Sequence, residues 1–377
     1  MADCTESYAT EFPAGLGRPH FGQPFDRTIE HGESATLERG VVVFSLDLEL
    51  AVASVDDRSL YRSLQRNIAG TRQAVRRLLA LCVAYRISAT WAIVGQLFRS
   101  SPTLDLQVDS WVQRDIPDDQ LCAPELLDEI QQCPVGQDIG SHSYRHVNMA
   151  AADFDDRMIG EELAACQTLA RGRGLTLDSF VFPFNRVARL NLLAEHGFTC
   201  FRGANSDWYT RGPAGNHRLF AFWRSALKQA DDFLAVPPPV DVPRRVPAGL
   251  WMIPHSMMYK GAGRARLAFL RGVLPDVWLD LASDLAINRQ VVKAARGIRR
   301  AVARRGVFHL WTHPQNLGQH TGRTLAGLEN VFRLADRYRR DGRLDIMNMA
   351  QLTSHVQSRS TSADPKVGAG SMPAGIG

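Results

Sequence analysis

The sequence predicts an α/β protein in which seven or eight strand–helix units form a barrel around a parallel sheet. Short apolar runs alternate with segments whose apolar residues recur at helical spacing. The length of 377 residues exceeds one average domain but suits an α/β barrel with insertions. Polar residues of the types used in catalysis follow several of the apolar runs. In α/β barrels, catalytic groups lie at the carboxyl ends of the strands. These three observations favour one enzyme built on a barrel.

The elements follow in order from their local patterns. Residues 41–50 and 89–94 read as strands, and residues 60–85 between them carry apolar side chains in helical phase, which predicts a βαβ unit. The remaining elements are predicted as helix 124–132, strand 137–141, helix 154–170, strand 180–184, helix 189–196, strand 199–202, strand 251–255, helices 264–271 and 276–305, strand 307–312, helix 321–340 and strand 344–347.

We predict one barrel domain over residues 39–355. Two stretches interrupt its alternation and are interpreted as insertions, at about 99–137 and 203–260; the second contains several prolines that forbid long regular elements. The polar segment 1–38 is predicted to be loose, and residues 356–377, rich in Ser, Gly, Pro and Ala, are predicted to form a disordered tail.

Charge and composition argue against a nucleic-acid-binding protein. The formal net charge of +5 is mild for this length, and the hydrophobic share of 45% is ordinary for a globular chain. The densest basic segment, residues 296–305, places apolar residues between arginines at helical spacing, which favours a solvated helix face. Aromatic residues are not interleaved there. An anionic sugar nucleotide or an acidic membrane surface stays open as a partner of this segment.

Cysteine usage and apolar runs predict a cytoplasmic protein. Six cysteines form no CxxC pair, which suits a reducing compartment, although a Cys122–Cys133 disulfide is a minor alternative. The N-terminal residues do not resemble a secretory signal, and no apolar run is long enough to predict a transmembrane segment.

Two carboxylates follow the first predicted strand. Asp47 and Glu49 are two residues apart, so on a strand they share one face. Taken alone, such a pair more often caps a helix or pairs with an arginine. Here an apolar strand directs both inward, and a cation would offset the cost of burying them.

Two imidazoles at the end of a later strand complete a candidate metal site. His142 and His146 follow Gly140, where the chain can turn and bring the rings together. Spacing alone is weak support, because His309 and His313 repeat it on a predicted strand, where they would lie roughly 13 Å apart. We therefore interpret His309 as a barrel-interior or surface residue. Two imidazoles and one carboxylate leave a position open for water, which is typical of a catalytic site and of zinc.

Four stretches carry a family resemblance. They are residues 44–49 (FSLDLE), 140–146 (GSHSYRH), 182–185 (FPFN) and 311–314 (WTHP). In this order they resemble the polysaccharide deacetylase family, the carbohydrate esterases that share the NodB homology domain, over roughly residues 40–350. The resemblance implies a distorted (β/α)7 barrel that removes acetyl groups from N-acetylated sugars, free or linked to a nucleotide or lipid. It also implies that Asp47 is the base, that Glu49, His142 and His146 hold a divalent metal, zinc or cobalt, and that His313 is the acid.

The chain departs from the family pattern at two positions. Glu49 stands where the family usually has aspartate, and Val181 stands where it often has the arginine of an Arg-x-Pro motif. Arg186 and Arg202 are candidates to replace that arginine, and His255 is a rival to His313 as the acid.

In the third stretch, a backbone N–H near Phe184 is a candidate to hold the oxyanion, and Asn185 lies beside it in the predicted loop. Two alternatives stay open at this point. One is hydrolysis of another linear amide, as in the related ureide and lactam hydrolases, and the other is an inactive carbohydrate-binding relic.

Overall fold

The computed structural model describes residues 32–102, 110–203, 231, 234–261 and 276–362. Its strands all join one sheet. In chain order they are β1 Glu33–Ser34, β2 Gly40–Leu48, β3 Thr90–Ile93, β4 Asp138–Ser141, β5 Ser179–Val181, β6 Cys200–Gly203, β7 Arg244–Arg245, β8 Trp251–Pro254, β9 Met257–Met258, β10 Val307–Thr312 and β11 Leu344–Ile346.

The sheet is mainly parallel and curls towards a half-barrel. Its order is β1-β7-β8-β6-β5-β4-β3-β2-β10-β9, and β11 pairs with the first part of β2. Only β7 pairs antiparallel with its neighbours among the named strands, at the edge that it forms with β1. Two residues link β8 to β9, which pairs with β10. The chain thus leads from one side of the sheet back to the other.

Strand β2 lies at the centre and has both faces buried. Its nine residues are all buried, and alternate side chains enter two different apolar clusters. Phe44 and Leu46 belong to the large cluster with the helices, whereas Val41 and Val43 join Trp251 in a smaller one. Burial on both faces is expected for a parallel strand in a sheet covered by helices.

The helices agree with most of the predicted elements. They cover Arg58–Ala69, Thr71–Tyr85, Ser110–Asp115, Pro124–Gln131, Asp156–Arg171, Leu190–Glu195, Asp276–Arg304, Pro314–Gly318, Thr321–Arg340 and Met349–Ser362.

The single helix predicted over residues 60–85 was wrong. The structure has two helices there that meet at Gly70. A Cβ atom on Gly70 would lie 2.1 Å from the carbonyl oxygen of Gly318, so the junction depends on a close backbone approach that the apolar pattern does not encode. Asp57 caps the first of the two helices by accepting from the backbone N–H groups of Ser59 and Leu60.

The boundaries of the two terminal segments also need correction. Glu33–Ser34 forms a strand inside the segment predicted to be loose. The helix Met349–Ser362 extends into the predicted tail, because Met349, Leu352 and Val356 pack against the inner face of β2. Residues 1–31 and 363–377 and the predicted helix 264–271 lie outside the described residues, as do most of the insertion at 203–260 and part of the one at 99–137.

The last helix covers one end of the sheet. Its first residues lie at the amino ends of two strands: the Met349 N–H donates to Thr90 of β3 and the Ala350 N–H donates to Asp138 of β4. The carboxyl ends at the opposite side carry the candidate catalytic residues. Within the described part of the chain, no helix is long and apolar enough to cross a membrane. The described cysteines are all free, Cys122 and Cys133 included.

Candidate active site

The candidate catalytic side chains meet at the carboxyl ends of the central strands. Asp47 lies near the end of β2 and Glu49 directly follows it, His142 follows β4, Arg202 lies in β6 and His313 follows β10. The two carboxylates lie on the inner face of β2, which Val41 and Val43 also occupy, and are only 2% and 5% exposed. The two-residue period of the strand therefore directs both carboxylates into one site, as the sequence predicts.

Three imidazoles surround one oxygen of Glu49. The Oε1 atom lies 3.2 Å from Nε2 of His142, 3.4 Å from Nε2 of His146 and 3.3 Å from Nε2 of His313. The other oxygen, Oε2, accepts a hydrogen bond of 2.9 Å from the side-chain amide of Gln315. Burial alone would raise the pKa of Glu49, but His313 and the other imidazoles outweigh it and hold this pKa well below its usual value.

His142 is oriented to present a lone pair to the site. Its Nδ1 atom lies 2.7 Å from the carbonyl oxygen of Val181, which can only accept, so Nδ1 carries the proton. In the neutral ring, the Nε2 atom that faces Glu49 then carries the lone pair. Metal-ligating histidines usually have this second contact, because it fixes the tautomer and the ring. The His146 ring lies 4.9 Å from the His142 ring.

Asp47 is held by Arg202. The two carboxylate oxygens accept hydrogen bonds of 2.6 and 2.7 Å from the two terminal nitrogens of the guanidinium, and both side chains are buried. Burial would raise the pKa of Asp47, but the charge of Arg202 exceeds this effect, and the pKa lies below its usual value. Pairing with an arginine was the alternative interpretation of these carboxylates, and it applies to Asp47 but not to Glu49.

Arg202 itself is fixed from several sides. It donates to Asn185 Oδ1 at 3.0 Å and to Ser45 Oγ at 3.3 Å, and its guanidinium carbon lies 4.2 Å from the centre of the Trp311 ring. Of the two arginines considered as replacements at the Arg-x-Pro position, Arg202 reaches the site. No contact described by the structure joins Arg186 to it.

His313 and His255 differ in their surroundings. His313 Nε2 lies 3.8 Å from Asp47 Oδ2, in addition to its contact with Glu49. Burial would lower the pKa of His313, but the two carboxylates raise it overall. His255 packs against Trp311, and burial together with the charge of Arg202 lowers its pKa to about 4. A histidine kept neutral in this way is a poor proton donor at neutral pH.

Two groups of side chains in the described chain have ligand atoms close enough for a metal ion. One group is Glu49, His142 and His146, and the other is Asp47, Glu49 and His313; within each, the ligand atoms lie within 4.8 Å of one another. In the second group, both oxygens of Asp47 already accept from the positive guanidinium of Arg202. A second cation beside that charge would be repelled. The first group therefore fits a divalent ion better.

The turn after β5 adds an aromatic wall to the site. Phe184 and Asn185 have φ angles of 58° and 53°, in the left-handed region that residues other than glycine rarely adopt. The Phe184 ring is 40% exposed, and its centre lies 4.7 Å from that of the His146 ring. Such backbone strain in non-glycine residues concentrates at functional sites.

Gln315 is a site residue that sequence reasoning missed. It occupies the first turn of the short helix Pro314–Gly318, and only its contact with Glu49 reveals a role. His309 agrees with its predicted interior position, because its Nε2 atom bonds Ser45 Oγ at 2.8 Å and the residue is fully buried.

No family model matches this sequence, and no curated protein matches it significantly. Solved structures do match its fold. A structure from Mycobacterium smegmatis, assigned to the polysaccharide deacetylases, aligns with a TM-score of 0.51 at 16% identity, over 88% of this chain and 96% of that one. A probable polysaccharide deacetylase from Pseudomonas aeruginosa PAO1 aligns with a TM-score of 0.47 at 15% identity, over 84% and 91%. The first of these alignments confirms the predicted fold class, a mixed α/β fold with a curled sheet.

Proposed function

We propose that this chain, which shares its fold with a structure assigned to the polysaccharide deacetylases, is a metal-dependent hydrolase that removes an acetyl or similar acyl group from an N-acetylated sugar or glycan precursor. One observation carries the proposal: a buried glutamate in contact with three imidazoles lies beside an aspartate held by a buried arginine. In this arrangement, one group of side chains would hold the metal and another would transfer protons. Metal-dependent amide hydrolysis uses both functions.

The metal would be held by Glu49, His142 and His146. Two imidazoles and one carboxylate are typical ligands of catalytic zinc, and cobalt suits the same set. A divalent ion bound there supplies a Lewis acid that polarises the acyl carbonyl and lowers the pKa of water. Gln315 keeps Glu49 in place by donating to its Oε2 atom, and Val181 orients His142.

Asp47 is the proposed base. Its carboxylate is ionised at neutral pH, and each oxygen retains a lone pair besides the one that accepts from Arg202. The guanidinium of Arg202 holds the Asp47 carboxylate in one orientation. This orientation would position the carboxylate to accept a proton from water. In this scheme Arg202 is a positioning residue.

His313 is the proposed acid. Its Nε2 atom lies near both carboxylates, so a proton on it is stabilised and directed into the site. It would protonate the departing nitrogen of the sugar amine. The exposed Phe184 ring would contact the sugar. The N–H groups of Asn185 and Arg186 in this turn already donate to the carbonyl oxygens of Phe182 and Pro183, so these two groups are not assigned to the oxyanion.

Metal and product assays test the proposal. The purified protein should contain about one divalent ion per chain. It should release acetate from N-acetylated sugars, lose this activity on chelation and regain it with zinc or cobalt. Free monosaccharides, oligomers, and nucleotide-linked and lipid-linked sugars form the substrate panel. Full activity after exhaustive chelation would refute the proposal.

A matched pair of variants locates the ion. Glu49→Ala should abolish binding because it removes one of three protein ligands. Glu161→Ala should leave metal content unchanged, since this surface residue pairs only with Arg157 among the ion pairs described. Equal metal content in both variants would place the ion elsewhere.

A further inference from the structure

The loop that carries the two histidine ligands has an unfavourable backbone conformation. Ser143 and His146 have φ angles of 57° and 61°, and neither is glycine. The left-handed region is unfavourable for such residues, because it brings the Cβ atom too close to the following carbonyl oxygen. The backbone conformation at Ser143 and His146 nevertheless brings the centres of the His142 and His146 rings within 4.9 Å of each other. Within the loop, the Val147 N–H donates to Ser143 Oγ at 3.1 Å, and contacts from outside the loop add to this bond.

The loop's backbone donors are bound by one buried carboxylate. Glu162, in the helix Asp156–Arg171, is 2% exposed. Its Oε2 atom accepts hydrogen bonds from the backbone N–H groups of Tyr144 at 3.0 Å and Arg145 at 2.8 Å. Its Oε1 atom accepts from Nε of Arg145. Burying a charge is costly without such partners, and here both oxygens have them.

The loop's backbone acceptors are bound from the other side. The carbonyl oxygens of Ser143 and Tyr144 accept from the N–H groups of Gly95 and Gln96, at 2.9 and 3.0 Å. This approach requires glycine at position 95, where a Cβ atom would lie 2.9 Å from the Tyr144 ring. The segment between the two ligands is thus fixed by the turn after β3 on one side and by Glu162 on the other.

We infer that Glu162 is a positioning residue for the metal site: it holds the loop in the conformation that places His142 and His146 on one ion, without touching the ion itself. The inference rests on the metal site of the proposed function. Residues that orient metal ligands typically change metal affinity by about 10- to 100-fold when they are replaced. Glu162 supports both ligands through one loop, so we expect an effect within this range.

The test is metal affinity in two adjacent glutamine variants. In Glu162→Gln, one oxygen becomes an NH₂ group that faces either the backbone N–H donors or the guanidinium of Arg145, so part of the anchor is lost. The control is Glu161→Gln, the same change one residue earlier, on the exposed side chain that pairs with Arg157. Zinc affinity is measured by competition with a chromophoric chelator, and the visible spectrum of the cobalt form reports ligand geometry.

We expect Glu162→Gln to bind zinc about 10- to 100-fold more weakly and to show an altered cobalt spectrum, while Glu161→Gln matches the wild type. An unchanged zinc affinity and cobalt spectrum in folded Glu162→Gln would overturn the inference. If Glu162→Gln does not fold, Glu162→Asp replaces it, since it keeps the charge and withdraws the carboxylate by one methylene; wild-type affinity there would overturn the inference equally. A wild type that binds no metal would instead refute the proposed function.

Discussion

Two pairs of histidines have the same spacing, but their side chains contact different groups. His142 and His146 both point at one oxygen of Glu49, with Nε2 distances of 3.2 and 3.4 Å. His309 and His313 separate: His309 bonds Ser45 in the interior, and His313 lies 3.3 Å from Glu49. The first pair spans a turn beyond the end of β4, whereas the second begins inside β10 and runs along its axis. Whether two histidines four residues apart converge on one group thus depends on where the pair begins relative to the strand end, and spacing alone does not establish it.

The largest effect is expected from substitutions in the first pair, His142 and His146. His142→Ala and His146→Ala should each lose most of the bound metal and all measurable deacetylation, because two protein ligands do not complete the site. Metal content by mass spectrometry and acetate release are the measurements. His309→Gln is the matched control and should keep its metal. Normal metal content in His142→Ala would show that this pair does not bind the ion.

A smaller effect is expected at the carboxylate that Arg202 holds. Asp47→Asn keeps the shape of the side chain but cannot accept a proton at neutral pH, so turnover should fall by roughly 10²- to 10⁴-fold while the metal stays bound. Turnover and metal content are measured on the same preparation. Loss of the metal in Asp47→Asn would make Asp47 a ligand and contradict its role as base.

A change of leaving group tests the acid role that is proposed for His313 but not for His309. His313→Ala should cleave an N-acetyl sugar roughly 10²- to 10⁴-fold more slowly, but an activated aryl acetate with much less loss, because a good leaving group needs no acid. Asp47→Asn should fail on both substrates. Equal losses on both substrates in His313→Ala, or loss of its metal, would move the acid role to another residue, with His255 the first to test.

The smallest effect concerns His309 and the pH dependence of stability. Burial and the charge of Arg202 hold the pKa of His309 well below its usual value, so the folded state keeps this ring neutral. Below about pH 6.5 the unfolded chain binds a proton that the folded chain does not, and stability falls by up to about 1.4 kcal/mol per pH unit.

His309→Gln removes this contribution, so between pH 7 and 5 its unfolding free energy should fall by about 1 to 2 kcal/mol less than that of the wild type. Urea denaturation at both pH values measures the difference. Identical pH dependence in the two proteins would mean that the pKa of His309 is the same in the folded and unfolded chain, and would contradict the expected shift.

Local pattern was sufficient to predict the strand 307–312 and the helix 321–340, whose bounds the structure reproduces. The strand-end positions of Asp47, His142 and His313 followed from the same alternation of apolar runs and helical segments. The sequence offered Arg202 only as one of two candidates beside Arg186, and it did not identify Gln315. Arg202 and Gln315 are 155 and 266 residues from the carboxylates that they contact. The curl of the sheet brings Arg202 of β6 to Asp47, and the pairing of β10 with β2 brings Gln315 to Glu49. The break at Gly70 has the same origin, because it depends on a contact with Gly318.

The central position of β2 has a consequence for how the protein forms during synthesis. This early strand pairs with β10 and β11, and its inner face packs against Met349, Leu352 and Val356. None of these partners exists while the first half of the chain is being translated. The strand can pair with β3 early, but its β10 edge and the apolar surface that the last helix covers stay exposed until those elements are made, and such exposed surface is prone to aggregation. We expect the half-barrel to be complete only after the last helix has emerged from the ribosome.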